Sequence, residues 1–128
     1  MNDPRRFYTG WLVDPDDRAA LLNRFPPAYA EVVAHHVTQK FGDAAAAPPS
    51  ETAGEVVGVA DDGAGVQALV VRIAGSTRRP DGSTYHITWS LGPGRQARES
   101  NDVIARLGYV PLPAPIPVKL EPRPFGGG

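Results

Sequence analysis

Thr84-Tyr85-His86-Ile87-Thr88-Trp89-Ser90-Leu91 is the stretch whose reading decides the fold. Strict alternation divides it. His86, Thr88 and Ser90 share one side, while Tyr85, Ile87, Trp89 and Leu91 share the other. On a strand, side chains two residues apart point the same way. The stretch therefore reads as a half-buried β-strand, with an apolar face toward a core and a polar face toward a cleft. Tyr85 and Trp89 belong to the core in this reading.

A second stretch, Ala34-His35-His36-Val37-Thr38-Gln39-Lys40-Phe41, repeats the pattern. His36-Val37-Thr38 matches His86-Ile87-Thr88 in a chain that has three histidines. The division is less clean here. His36, Thr38 and Lys40 share one face, and His35, Val37, Gln39 and Phe41 the other. Gln39 falls on the face that should be apolar, which a strand end or a bulge would accommodate. Each tripeptide sets an imidazole beside a hydroxyl. Two such strands facing each other would gather an acid, a base and two hydrogen-bond donors around one cleft, the groups needed to open a phosphodiester. His35 points away from His36 on an extended strand, so a zinc site of His35, His36 and His86 is disfavoured and no metal is expected.

The whole chain limits the partners. At 128 residues it reads as one domain, spanning 1–125, with a short tail at 126–128. Thirteen basic and fourteen acidic side chains leave no overall positive field, so extended DNA or RNA is not the expected partner. A nucleotide, a cyclic nucleotide or an RNA end held at a local site fits better. There is no cysteine, hence no disulfide framework or thiolate chemistry, which is in keeping with a cytoplasmic setting. No long apolar run follows Met1-Asn2-Asp3-Pro4-Arg5-Arg6, so neither a signal peptide nor a membrane span is expected. A monomer is expected.

The remaining elements follow from local signals. Phe7-Tyr8-Thr9-Gly10-Trp11-Leu12-Val13 reads as a strand. Asp14 then caps a helix with Pro15 in its first turn and Leu21, Leu22 and Phe25 as its apolar stripe, stopped by Pro26-Pro27. Residues 44–52 read as a linker. Strands at 55–60 and 66–74 form a hairpin around Asp61-Asp62-Gly63-Ala64-Gly65, and the apolar run Ala68-Leu69-Val70-Val71 predicts a strand covered on both faces. Arg78-Arg79-Pro80-Asp81-Gly82-Ser83 reads as a turn whose Arg78 and Arg79 could attract a phosphate, although a charged turn is usually only a solvated one. A helix is expected over about 100–107, capped by Ser100 or Asn101 and stopped by Gly108. Residues 116–120 read as an edge strand, because prolines interrupt them.

The paired tripeptides in their strands resemble the signature of the 2H phosphoesterase superfamily, which includes RNA ligase-like and cyclic phosphodiesterases. The likeness spans most of the chain, but its specificity rests on those six residues. It implies a compact bilobal α+β fold, with two antiparallel sheets each backed by a helix around a central groove. It also implies a metal-independent phosphodiesterase, without cofactor, acting on a 2′-linked nucleotide phosphoester. A 2′,3′-cyclic phosphate on a nucleotide or RNA end is the first expectation; 2′–5′ oligonucleotides and cyclic oligonucleotide messengers are alternatives. His36 and His86 would be acid and base, with Thr38 and Thr88 holding the phosphate. Tyr8 and Lys40 are the accessory substrate-binding candidates, Tyr8 on a neighbouring strand and Lys40 on the motif face. Two readings from other classes stand beside this one: a nucleotide-binding module without turnover, and a polyproline ligand at 111–124.

Overall fold

A computed structural model of the chain describes residues 7–41 and 48–126. Its elements are β1 (Phe7–Val13), α1 (Pro15–Arg24), β2 (Glu31–Val32), β3 (His36–Phe41), β4 (Ala53–Asp61), β5 (Val66–Arg72), β6 (His86–Leu91), α2 (Glu99–Leu107) and β7 (Val110–Gly126). This is the expected α+β class, with antiparallel strands and two helices.

The strands form one sheet in the order β2-β6-β3-β1-β7-β4-β5, and β5 also pairs with β6. Six strands therefore close into a barrel. The two separate sheets implied by the resemblance are not formed by these ladders, because β7 stitches the halves together. It pairs with β4 as far as Lys119 and with β1 from Leu120 to Gly126. The barrel is filled by the apolar faces of its strands. Trp11, Val37, Val56, Leu69, Ile87 and Trp89 are completely buried in the main core, and burial of side chains of this size contributes roughly 1.5–3 kcal/mol each. Tyr85 joins them, edge-on to Trp11 with ring centroids 5.6 Å apart. Helix α2 packs outside, its Val103 and Ile104 against Val66, Ala68, Val70 and Leu91. Strand β5 is thus covered on both faces, as its continuous apolar run predicted.

The helix α1 start is also as read: Asp14 accepts from the Asp17 N–H at 3.1 Å, with Pro15 in the first turn. For α2 the expectation fails at the N-terminus. The helix begins at Glu99 with Arg98 at the cap position, so Ser100 and Asn101 lie inside its first turn. Among the described residues, no helix is long and apolar enough to cross a membrane.

Strand β7 is partnered, not the edge strand its prolines suggested. Along a strand, successive residues direct their N–H and C=O groups to opposite sides. The Leu120 N–H donates to Thr52 O on the β4 side, whereas Lys119 O accepts from the Asp14 N–H on the β1 side. Even-numbered residues here face β4 and odd-numbered ones face β1. Pro111 and Pro117 are odd and lie where β1 has ended; Pro122 and Pro124 are even and lie where β4 has ended. Each missing N–H points to the unpartnered side, which is how a partnered strand tolerates proline. Residues 112–115 have no register partner in the β4 ladder, which is irregular between Val56 and Gly58. The pairing reaches Phe125 and Gly126, so Gly126, expected in the tail, is in a strand; the rest of that tail, 127–128, lies outside the described residues.

Between β1 and β3 the register runs Thr9↔Lys40 and then Gly10↔Thr38, leaving Gln39 as a bulged residue. The oddly placed Gln39 is thereby explained: its side-chain oxygen accepts from the Thr9 hydroxyl at 2.8 Å. Gly10 is required beside the bulge, because a Cβ there would stand 2.1 Å from Val37 O. Gly10→Ala is expected to lower stability by about 1–3 kcal/mol through this clash, read as a lower urea midpoint.

Candidate active site

Strands β3 and β6 meet at Val37↔Ile87, the central residues of both tripeptides. Both are fully buried in the barrel. The flanking His36, Thr38, His86 and Thr88 therefore lie on the outer face, and all four line one cleft of about 260 Å³. Because the strands are antiparallel, the histidine of each tripeptide lies toward the threonine of the other. Tyr8, Arg79, Ala97, Arg98 and Asn101 complete the lining.

Of the two accessory candidates, Tyr8 is in the cleft and Lys40 is not. The Tyr8 ring lies 5.3 Å from that of His36, tilted by 36°, and burial raises the pKa of its phenol. Lys40 is exposed and does not belong to the lining. The bulge at Gln39 breaks the alternation that would have kept Lys40 on the His36–Thr38 face. Ser90, read on the cleft face of β6, is instead fully buried, donating to Gln67 Oε1 at 2.6 Å and accepting from the Tyr29 N–H.

The imidazoles are held differently. His86 Nδ1 lies 2.8 Å from Thr84 O. A carbonyl can only accept, so Nδ1 carries the proton and Nε2 is left to take or give another. Burial lowers the pKa of His86; the Thr84 carbonyl opposes this and the Arg79 charge adds to it. His36 Nδ1 lies 3.1 Å from Nδ1 of the exposed His35, so one of the two rings donates to the other. Burial, then the charges of His35 and His86, lowers the His36 pKa from 6.5 to about 4. Both cleft histidines thus favour the neutral form when no anion is bound.

Thr88 Oγ1 donates weakly to Ala97 O at 3.3 Å and lies 2.9 Å from the hydroxyl of the fully buried Ser100. An anionic oxygen in the cleft would compete well for a bond that long, since charge-assisted bonds are about twice as strong. Ser100, expected as a helix cap, instead supports Thr88. Asn101, the other expected cap, accepts from Arg79 Nη1 at 3.2 Å.

Arg79 departs most from the sequence reading. It was placed in a solvated turn, yet it is 3% exposed. Its Nε donates to Gln39 O at 3.3 Å, and its Nη2 lies 3.6 Å from Asp81 Oδ2. The turn folds back through Arg79 N to Ser83 O and Gly82 N to Arg79 O, which lays the guanidinium between the β3 bulge and α2. The sequence signals for it are its charge, which could attract a phosphate, and its position just before the second motif strand. Among the described residues, no three His, Asp or Glu side chains gather into a potential metal site.

The histidine burial has a measurable consequence. Between pH 6.5 and about 4, the unfolded chain binds a proton at His36 that the folded chain does not. Stability therefore rises with pH across this window and falls as pH is lowered. The expected loss for His36 is about 2 kcal/mol between pH 7 and pH 5, with His86 acting in the same direction. His36→Ala should flatten the dependence of the urea midpoint on pH; an unchanged slope would refute the assignment.

No protein-family model, curated protein or solved structure matches this chain.

Proposed function

We propose that the protein is a metal-independent phosphodiesterase that hydrolyses a 2′-linked nucleotide phosphoester, a 2′,3′-cyclic phosphate on a nucleotide or RNA end being the preferred substrate. The reading is carried by one observation: His36, Thr38, His86 and Thr88 share one cleft, which no carboxylate lines among the described residues. The resemblance to 2H phosphoesterases supplies the same four roles. Its bilobal form survives here only as two motif strands side by side on a closed barrel.

The chemistry needs both protonation states of imidazole. One neutral ring takes a proton from the attacking water as its oxygen bonds to phosphorus. The other, protonated, gives its proton to the ribose oxygen as that P–O bond breaks. The ring that gained a proton then releases it to solvent and the other ring takes one up, which restores the starting state. Thr38 and Thr88 donate to the non-bridging oxygens, and the Arg79 charge nearby favours the added negative charge. The cleft is small for a ligand site, which suits a nucleotide or a chain end over internal RNA.

The test is hydrolysis in EDTA of nucleoside 2′,3′-cyclic phosphates, a 2′–5′ dinucleotide and several cyclic dinucleotides. Turnover of the cyclic phosphates, undiminished by chelation, is the expected result. Strict dependence on added metal would sink the mechanism. Binding without turnover of any substrate would leave a nucleotide-binding module.

A further inference from the structure

Arg98 stands in the turn that leads into α2, already in helical conformation and with no side-chain capping bond. That end of the helix is served instead by the Glu99 carboxylate, which accepts from the Gln96 N–H at 2.6 Å. The Arg98 charge meets the positive end of the helix dipole, where cations are unfavourable. The backbone gives no reason for arginine, since φ −61° and ψ −21° suit almost any residue.

The neighbouring guanidinium groups are engaged. Arg79 is held by Gln39 O and Asn101, and Arg95 by Asp62 and Glu99. Among the described residues, the Arg98 side chain makes no hydrogen bond or ion pair, although the charge of the adjacent Glu99 acts on it, and it lines the same cleft as the two imidazoles. It is exposed where Arg79 is buried. A phosphate seated on the histidines and threonines would lie deep in the cleft, leaving Arg98 to meet a group nearer solvent. A cation at this end of a helix departs from the local rule, and such departures are expected at functional positions.

We propose that Arg98 is a specificity residue, selecting substrates that carry a second phosphate-type anion on the 5′ oxygen of the ribose whose phosphoester enters the cleft. This rests on the phosphoester reading above. That anion is a 5′-phosphate on a mononucleotide, or the preceding phosphodiester at an RNA end. A guanidinium fork matches either one.

Calorimetry with product-like probes tests this without requiring turnover. Adenosine 2′-phosphate, adenosine 2′,5′-bisphosphate and a diadenylate ending in a 2′-phosphate are titrated into the wild type, Arg98→Ala, Arg98→Lys and, as an off-site control, Arg106→Ala. The wild type is expected to bind at least one doubly anionic probe about tenfold or more tightly than the monophosphate. Arg98→Ala should bring that ratio close to one, Arg98→Lys should keep part of it, and Arg106→Ala should keep all of it. A gain confined to the bisphosphate identifies a mononucleotide substrate; one shared by the diadenylate identifies an RNA end. A wild-type ratio near one, or a ratio that survives Arg98→Ala, overturns the role of Arg98 while leaving the phosphoester site standing. Failure to bind all three probes overturns both.

Discussion

His36→Ala and His86→Ala are each expected to lower kcat/KM by about 10²- to 10⁴-fold, the usual worth of a positioned acid or base. The loss should fall on kcat, because proton transfer develops only in the transition state. The double variant should be little worse than either single one, since each imidazole needs the other. Neither change should unfold the protein near neutral pH, where the burial of His36 and His86 holds both rings neutral. The same burial makes the pH profile informative. A working pair needs one charged ring, and the free cleft resists charging either. The kcat/KM profile, which reports the free enzyme, should therefore peak below the ordinary histidine range. A bound phosphate anion stabilises imidazolium, so the kcat profile should lie at higher pH. A single variant that keeps a tenth of the activity would remove its histidine from the mechanism.

Arg79→Ala is expected to cost about 2–3 kcal/mol of stability, an effect no reading of a solvated turn would suggest. It leaves Gln39 O and Asn101 Oδ1 without their donor, and such groups are expensive to bury unsatisfied. It also removes a charge that lowers the His86 pKa. The His86 pKa should rise, as measured by NMR titration of the ring. Arg79→Lys separates the two effects: it keeps the charge, and so a low His86 pKa, but lacks the planar fork that reaches both acceptors. Unchanged stability in Arg79→Ala, or a His86 pKa that does not rise, would contradict the placement of this side chain.

The sequence was most informative where one physical rule acted alone. Alternation in β6 separated Ile87 and Trp89 from His86 and Thr88, and the structure buries the first pair while the second lines the cleft. Asp14-Pro15 marked the start of α1, and the apolar run in β5 marked a strand covered twice. Legibility ended where a distant element decided the outcome. Ser90 is buried where Gln67 and the chain at Tyr29 meet its hydroxyl, and Lys40 leaves the cleft face because Gly10 and Thr38 pair past a bulge. Arg79 and Ser100 look like turn and cap residues; only the meeting of the 79–83 turn, β3, β6 and α2 makes them supports of the site. Barrel closure was hidden for the same reason, since prolines in β7 read as an edge until both its partners are known.

Those prolines also make β7 a keyed strand. Sliding it by one residue would turn Pro122 and Pro124 toward β1 and Pro117 toward β4, placing missing donors where each ladder needs one. A two-residue slip would keep the parity but displace the point where β4 hands over to β1. Among the described residues, prolines interrupt the row of donors on the margin beyond each partner's end, and on the β1 side Asp17 Oδ2 already accepts the Lys119 N–H, so an approaching strand finds a broken ladder to pair with. The proline spacing thus sets the register in which the barrel closes and guards the seam against further strands.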